Sequence, residues 1–174
     1  MKLNSSDFLG IIPARFNSTR LKGKPLMKIG EKTMIEHVYS RASEVLDNLV
    51  VATDDKNIFD TVNNFGGNVV LTEKDHLNGT SRCLEAVDIW SKELEKSFNY
   101  IINIQGDEPL LHEDHIIKVI ECFNDSKTEF ATIAQKLNSS DNLLKDKVFL
   151  VKDTFFFSLY FSRYAILLLR EDEI

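Results

Sequence analysis

Short apolar runs alternate with helix-patterned segments over most of this chain, and that alternation restricts the possible fold more than any other feature. Residues 8–12 form a continuous apolar run, as expected for a strand buried on both faces. Residues 49–53, 69–72, 100–104 and 130–134 read the same way. Between these runs, Thr33-Met34-Ile35-Glu36 is a capping box. It opens a helix whose buried stripe is Ile35, Val38, Tyr39, Ala42, Val45 and Leu46. Asp54-Asp55 precedes a second helix that stops at Phe65-Gly66-Gly67. Leu84, Val87, Trp90 and Leu94 mark a third, and Ile116, Ile117, Ile120 and Phe123 a fourth.

Such β–α repetition predicts an α/β protein with a mostly parallel sheet and helices on both faces. Ligands of such sheets sit at the carboxyl ends of the strands. No internal repeat or low-complexity linker interrupts the pattern, so residues 1–174 are expected to form a single domain. Residues 148–151 and 155–161 read as two further strands. Phe155-Phe156-Phe157 and Leu167-Leu168-Leu169 are unusually apolar, and no closing helix follows them. This predicts a sheet incomplete at its C-terminal side, with apolar surface left uncovered.

The formal net charge of -6 argues against a general nucleic-acid binder, whose phosphate contacts want positive charge. Cys83 and Cys122 fall in helical patterns without metal or CxxC spacing and are expected to be buried free thiols. The first seven residues are polar and the apolar run after them is too short for a signal peptide. The apolar stretch 155–169 is broken by Ser158, Ser162 and Arg163 and does not reach membrane-spanning length. A cytoplasmic protein without membrane contact is the expectation.

Against that acidic background, one loop is strongly cationic. Directly after the first strand come Arg15, Arg20, Lys22 and Lys24, with no acidic residue among them. Fixed cations and backbone N–H groups at a strand end suit a polyphosphate. The loop lacks the glycine spacing of both a Walker A motif and a dinucleotide fingerprint. A merely solvated basic loop is the alternative, although Pro13, Gly23 and Pro25 restrict its path.

Two more strand-end motifs carry chemistry. In Gln105-Gly106-Asp107-Glu108-Pro109, Asp107 is placed to hold a divalent ion against phosphate oxygens, or else to cap a local Gly-Asp turn. In Asp75-His76-Leu77-Asn78-Gly79-Thr80-Ser81-Arg82, Gly79 permits close backbone approach to a base or ribose. The plainer alternative is that Thr80 or Ser81 simply caps the next helix. Arg82 stands in a first helical turn, where a cation opposes the helix dipole, and that mismatch favours a ligand role. His76 reads as a structural hydrogen-bonder, as do His37, His112 and His115.

In order along the chain, these segments resemble the 3-deoxy-manno-octulosonate cytidylyltransferase (CMP-Kdo synthetase) family. The resemblance rests on 12–26, Ala52-Thr53-Asp54, 75–82, 105–109 and Leu159-Tyr160-Phe161-Ser162-Arg163. It implies a three-layer α/β/α fold of the nucleotide-diphospho-sugar transferase type. It also implies transfer of CMP from CTP to Kdo with Mg²⁺, giving CMP-Kdo and pyrophosphate for lipopolysaccharide assembly. A synthetase for another acidic sugar such as sialic acid, or a CTP-binding chain without turnover, are the alternatives.

Carried onto this sequence, the resemblance makes Arg15 and Lys24 catalytic. Ala14, Arg15, Arg20, Lys24, Asn78, Gly79, Thr80, Arg82 and Gln105 become nucleotide contacts, Arg163 a sugar contact and Asp107 the metal ligand. CTP and Kdo are the implied partners, and the full-length form is expected to be a homodimer. The chain departs from the family at Asn78, at Leu167 after Ile166, and by ending before the family's second metal-binding aspartate.

Overall fold

A computed structural model of the chain describes Leu3 and residues 5–17, 21–136 and 147–164. Two compact units divide it, Met1–Ala131 and Thr132–Ile174.

The first unit is built on a four-stranded sheet of β1 (Phe8–Ala14), β4 (Leu49–Thr53), β5 (Val69–Leu71) and β6 (Tyr100–Asn103). Their order is β5-β4-β1-β6, and every pairing is parallel. β1 and β4 are buried along almost their whole length, which is why they read as continuous apolar runs. Between β1 and β4 lie a short antiparallel hairpin, β2 (Lys28–Ile29) with β3 (Lys32–Thr33), and then α1 (Met34–Ser43).

Local signals start the helices where expected. Thr33 Oγ1 accepts the Glu36 amide at 3.3 Å to cap α1. Asp55 Oδ1 accepts the amides of Asn57 and Ile58 at 2.9 and 3.1 Å to cap α2 (Lys56–Asn64). α3 (Gly79–Glu93) and α4 (Glu113–Cys122) complete the set.

The helices divide the core in two. Phe8, Ile12, Val51 and Ile102 pack with Ile35 and Val38 of α1, Ile58 and Val62 of α2, and Ile116 of α4. On the other face Leu9, Ile11, Val50, Ala52 and Val70 pack with Cys83, Ala86 and Trp90 of α3. Right-handed crossovers put the helices of oppositely running connections on opposite faces. The connections β1→β4→β5 run one way and β5→β6 runs back, so α3 lies alone across the sheet from α1 and α2. This is the expected three-layer α/β/α arrangement.

Three expectations about individual residues change. Residues 130–134 form no strand; Phe130 is 94% exposed and no described strand pairs with this segment, so its apolar pattern has no ladder to join. Leu84 is exposed, because the buried stripe of α3 runs through Cys83, Ala86 and Trp90 instead. Cys122 is exposed, not buried like Cys83, since α4 turns Ile116 inward and Cys122 lies about 120° around the helix from it.

In the second unit, β7 (Phe149–Lys152) and β8 (Ser158–Ser162) form an antiparallel hairpin with a register shift at Val151/Lys152. Asp153 Oδ1 accepts the amides of Phe155 and Phe157, both at 2.8 Å, and closes the turn. Phe155, Phe156, Tyr160 and Phe161 are exposed, as the apolar tail predicted. No described helix is long and apolar enough to cross a membrane.

Candidate functional site

The sheet itself marks the place. β1 and β6 are neighbours at which the strand order reverses: the chain leaves β1 for β4 on one side and returns from β5, at the far edge, to β6 on the other, so a crevice opens beyond their carboxyl ends. Pro13, near the end of β1, is where three segments meet. Gly106, after β6, comes so close that a Cβ there would stand 3.0 Å from the Pro13 carbonyl oxygen. Gly79, at the start of α3, faces the other side of Pro13, with a Cβ position 3.4 Å from its Cγ. The contact at Gly106 is tight against backbone, so a side chain there would force the loops to shift, whereas a Cβ at Gly79 would make only an ordinary contact.

The cationic loop has a defined shape. Its two ends are tied by the Gly23 amide donating to the Phe16 carbonyl at 2.8 Å. Gly23 sits in the left-handed region at φ 72°, beneath the Phe16 ring. That turn leads into a short 3₁₀ segment, Lys24–Leu26, whose Pro25 is buried. Lys24 is thereby fixed at the head of the turn with its side chain projecting outward. The Lys22 ammonium lies 5.7 Å from the Phe16 ring centre.

Lys24 Nζ donates to Asp107 Oδ2 at 2.6 Å. The two motifs singled out in the sequence, 83 residues apart, therefore touch across the β1–β6 crevice. Their side chains are 31% and 52% exposed, so each is open to a charged ligand. An exposed pair of this kind adds only about 0–1 kcal/mol, and replacing either partner costs little.

The loop between β5 and α3 is held differently. Asn78 caps α3, its Oδ1 accepting the Ser81 amide at 2.9 Å; the cap is neither Thr80 nor Ser81. His76 Nδ1 lies 3.2 Å from Ser81 Oγ and its Nε2 2.5 Å from Glu85 Oε2, in keeping with a structural histidine. His37 and His112 are also structural, the first bonded to the Ile29 carbonyl at 2.9 Å and the second capping α4.

Arg82, an expected nucleotide contact, is placed in the interior. Its side chain is completely buried and pairs with Asp54 at 3.4 Å. Its Nη1 donates to Thr72 Oγ1 and to the Glu73 carbonyl. The cation that opposes the dipole of α3 is thus compensated inside the protein, from the carboxyl ends of β4 and β5.

Of the remaining expected contacts, Ala14 is buried at the end of β1, while Arg15, Thr80 and Gln105 are exposed. Gln105 Nε2 donates to Asn103 Oδ1 at 3.4 Å. Arg20 lies outside the described residues, and Arg163 is exposed in the second unit, just after β8. Among the described residues no group of three or more His, Cys, Asp or Glu side chains could hold a metal. A single accessible carboxylate such as Asp107 still suits Mg²⁺, which completes its shell with phosphate oxygens and water. The sequence reading missed Glu85, because its partners His76 and Glu73 belong to a loop whose path no local pattern reveals.

Comparison with known proteins places this arrangement. The family model for cytidylyltransferases matches residues 9–174. The chain is 46% identical to the 3-deoxy-manno-octulosonate cytidylyltransferase of Fusobacterium nucleatum, over 91% of this chain and 64% of that protein. It is 42% identical to the enzyme of the same name from Parabacteroides distasonis, with the same coverage. The chain thus spans somewhat less than two thirds of the length of these relatives. Among solved structures, it resembles a CMP:2-keto-3-deoxy-manno-octonic acid synthetase complexed with CTP, with a TM-score of 0.81 and 32% identity. That likeness covers 97% of this chain and 68% of the other. By sequence and by fold, the chain belongs to the cytidylyltransferase family.

Proposed function

We propose that the chain is the nucleotide-binding part of a cytidylyltransferase that moves CMP from CTP to Kdo, releasing pyrophosphate. The observation that carries this reading is the Lys24–Asp107 contact across the β1–β6 crevice. It sets a cation and a carboxylate side by side where an α/β sheet of this order takes a ligand. The names of the curated relatives and the CTP bound in the related structure support the choice of nucleotide and sugar.

In the transfer, a sugar hydroxyl attacks the α-phosphorus of CTP, the bond to the β-phosphate oxygen breaks, and pyrophosphate leaves. Such chemistry needs in-line positioning and charge neutralisation more than covalent help. Arg15 and Lys24, assisted by Arg20, hold the triphosphate and offset the charge that moves onto the leaving group. Asp107 holds Mg²⁺, which when bound neutralises charge on the phosphate oxygens. Gln105 and the Asn78-Gly79-Thr80 edge face the nucleoside; the sugar contact assigned to Arg163 rests on the family resemblance alone. Arg82 ties the start of α3 to the residues that follow β4 and β5 from inside.

This reading makes the protein a cytoplasmic enzyme of lipopolysaccharide assembly that works as a homodimer in its full-length form, without nucleic-acid or membrane partners. Pyrophosphate release measured with CTP, Mg²⁺ and either Kdo or sialic acid tests it. Release with Kdo is expected, and release with sialic acid alone would overturn the sugar assignment. A melting temperature raised by CTP with no release from either sugar would leave the nucleotide site and remove the transfer.

A further inference from the structure

One carboxylate gathers several of the ties that hold the β5–α3 loop. The Glu73 amide, where the loop begins, donates to both Glu85 carboxylate oxygens at 3.1 and 3.0 Å. His76, in the middle, places Nε2 2.5 Å from Glu85 Oε2. The other ring nitrogen lies 3.2 Å from Ser81 Oγ, which donates to the Asn78 carbonyl at 3.0 Å. The start, middle and end of the loop are thus joined to the first turns of α3 through Glu85. The His76 and Glu85 side chains are only 14% and 27% exposed, so water competes weakly for these bonds.

The loop so held delivers Asn78 and Gly79 to the crevice, where Gly79 packs against Pro13. Glu85 itself lies in the second turn of α3, and among the described residues its side chain bonds to the loop groups Glu73 and His76. The phosphate-facing pair, Lys24 and Asp107, belongs to other loops and is bonded to neither. The crevice therefore has two edges fixed by independent contacts.

We propose that Glu85 is a positioning residue: through His76 and the Glu73 amide it fixes the Asn78–Gly79 edge, and so sets affinity for the nucleoside part of the ligand and not for its phosphates. The proposal rests on the reading of the crevice as a nucleotide site. Its test is a pair of titrations in Mg²⁺ buffer, one with CTP and one with inorganic tripolyphosphate, on wild type, Glu85→Ala, Glu85→Gln and His76→Ala.

Glu85→Ala is expected to weaken CTP binding on the order of tenfold, the effect of losing one or two charge-assisted hydrogen bonds. Tripolyphosphate affinity should stay within about twofold, because the cationic loop does not depend on Glu85. Glu85→Gln keeps an acceptor for the Glu73 amide and a polar partner for His76, and should remain within about threefold of wild type for CTP. His76→Ala, which cuts the same tie from the loop side, should repeat the alanine pattern and serves if Glu85→Ala does not fold.

Equal loss for both ligands, no loss for CTP, or a glutamine variant as weak as the alanine would each overturn the proposal. Wild type binding neither ligand would instead overturn the nucleotide-site reading on which it rests.

Discussion

Two ion pairs lie near the carboxyl ends of the strands, and they differ in almost every respect that matters. Lys24–Asp107 is short, at 2.6 Å, and both side chains reach solvent. Arg82–Asp54 is longer, at 3.4 Å, with the arginine fully buried and the aspartate 19% exposed. In sequence, both cations looked like nucleotide contacts, Lys24 on the triphosphate and Arg82 close to the cytidine. Burial separates them. A cation that a ligand can reach, paired with a carboxylate it can leave at small cost, is free to act in binding. A buried guanidinium must keep its partner, because an uncompensated charge inside the protein is very unfavourable.

The largest effect should come from breaking the buried pair. Arg82→Ala leaves Asp54 uncompensated and removes the bonds to Thr72 and Glu73, with an expected loss of about 3–5 kcal/mol in denaturant unfolding. A loss below about 1 kcal/mol would mean that the pair is not structural.

Breaking the exposed pair should do the opposite. Lys24→Ala should leave stability within about 1 kcal/mol of wild type. In a full-length enzyme it should lower turnover by about 10²-fold or more, the scale seen when a charge-stabilising donor is lost. Activity within a few-fold of wild type would remove Lys24 from the triphosphate grip.

Asp107→Asn sharpens the contrast from the other side. It removes a negative charge beside the phosphates and frees Lys24, so CTP binding without Mg²⁺ should tighten a few-fold, by about 1 kcal/mol or less. The gain from adding Mg²⁺, read in the same titration, should shrink or vanish. A metal-free affinity weaker than wild type would contradict this competition between the two partners.

The smallest effect probes the interior around Arg82 itself. Burial pushes the Cys83 thiol up from 9.0 to about 11, and the neighbouring Arg82 charge pulls it back only in part. Desolvation outweighs the cation. A disulfide-exchange reagent at neutral pH should therefore label exposed Cys122 and leave Cys83 unreacted in the folded chain. A raised thiol pKa also makes a signed contribution to stability. That contribution is full below pH 9.0 and is lost as pH rises toward about 11, because the unfolded chain ionises first. Rapid labelling of both thiols in the native protein would show that this interior is open.

Parts of the fold were legible because their causes are local. Thr33 and Asp55 cap the helices that the sequence places after them, and residues 49–53 form the strand their apolar run predicts. Residues 130–134 misled because a strand needs a neighbour's backbone, and an apolar pattern does not reveal whether one is there. Leu84 and Cys122 misled because helical spacing defines faces without saying which one meets the sheet.

The site divides along the same line. Composition and order alone determined that a cationic loop follows the first strand, that a carboxylate follows β6, and that strands and helices alternate in a mostly parallel α/β pattern. These properties depend on neighbours in the chain. Only the tertiary structure decided that Lys24 meets Asp107, that Asp54 claims Arg82, and that Glu85 anchors the loop before α3. Each of those contacts joins segments brought together by the strand order or the path of a loop, and burial then decided which charges stay accessible.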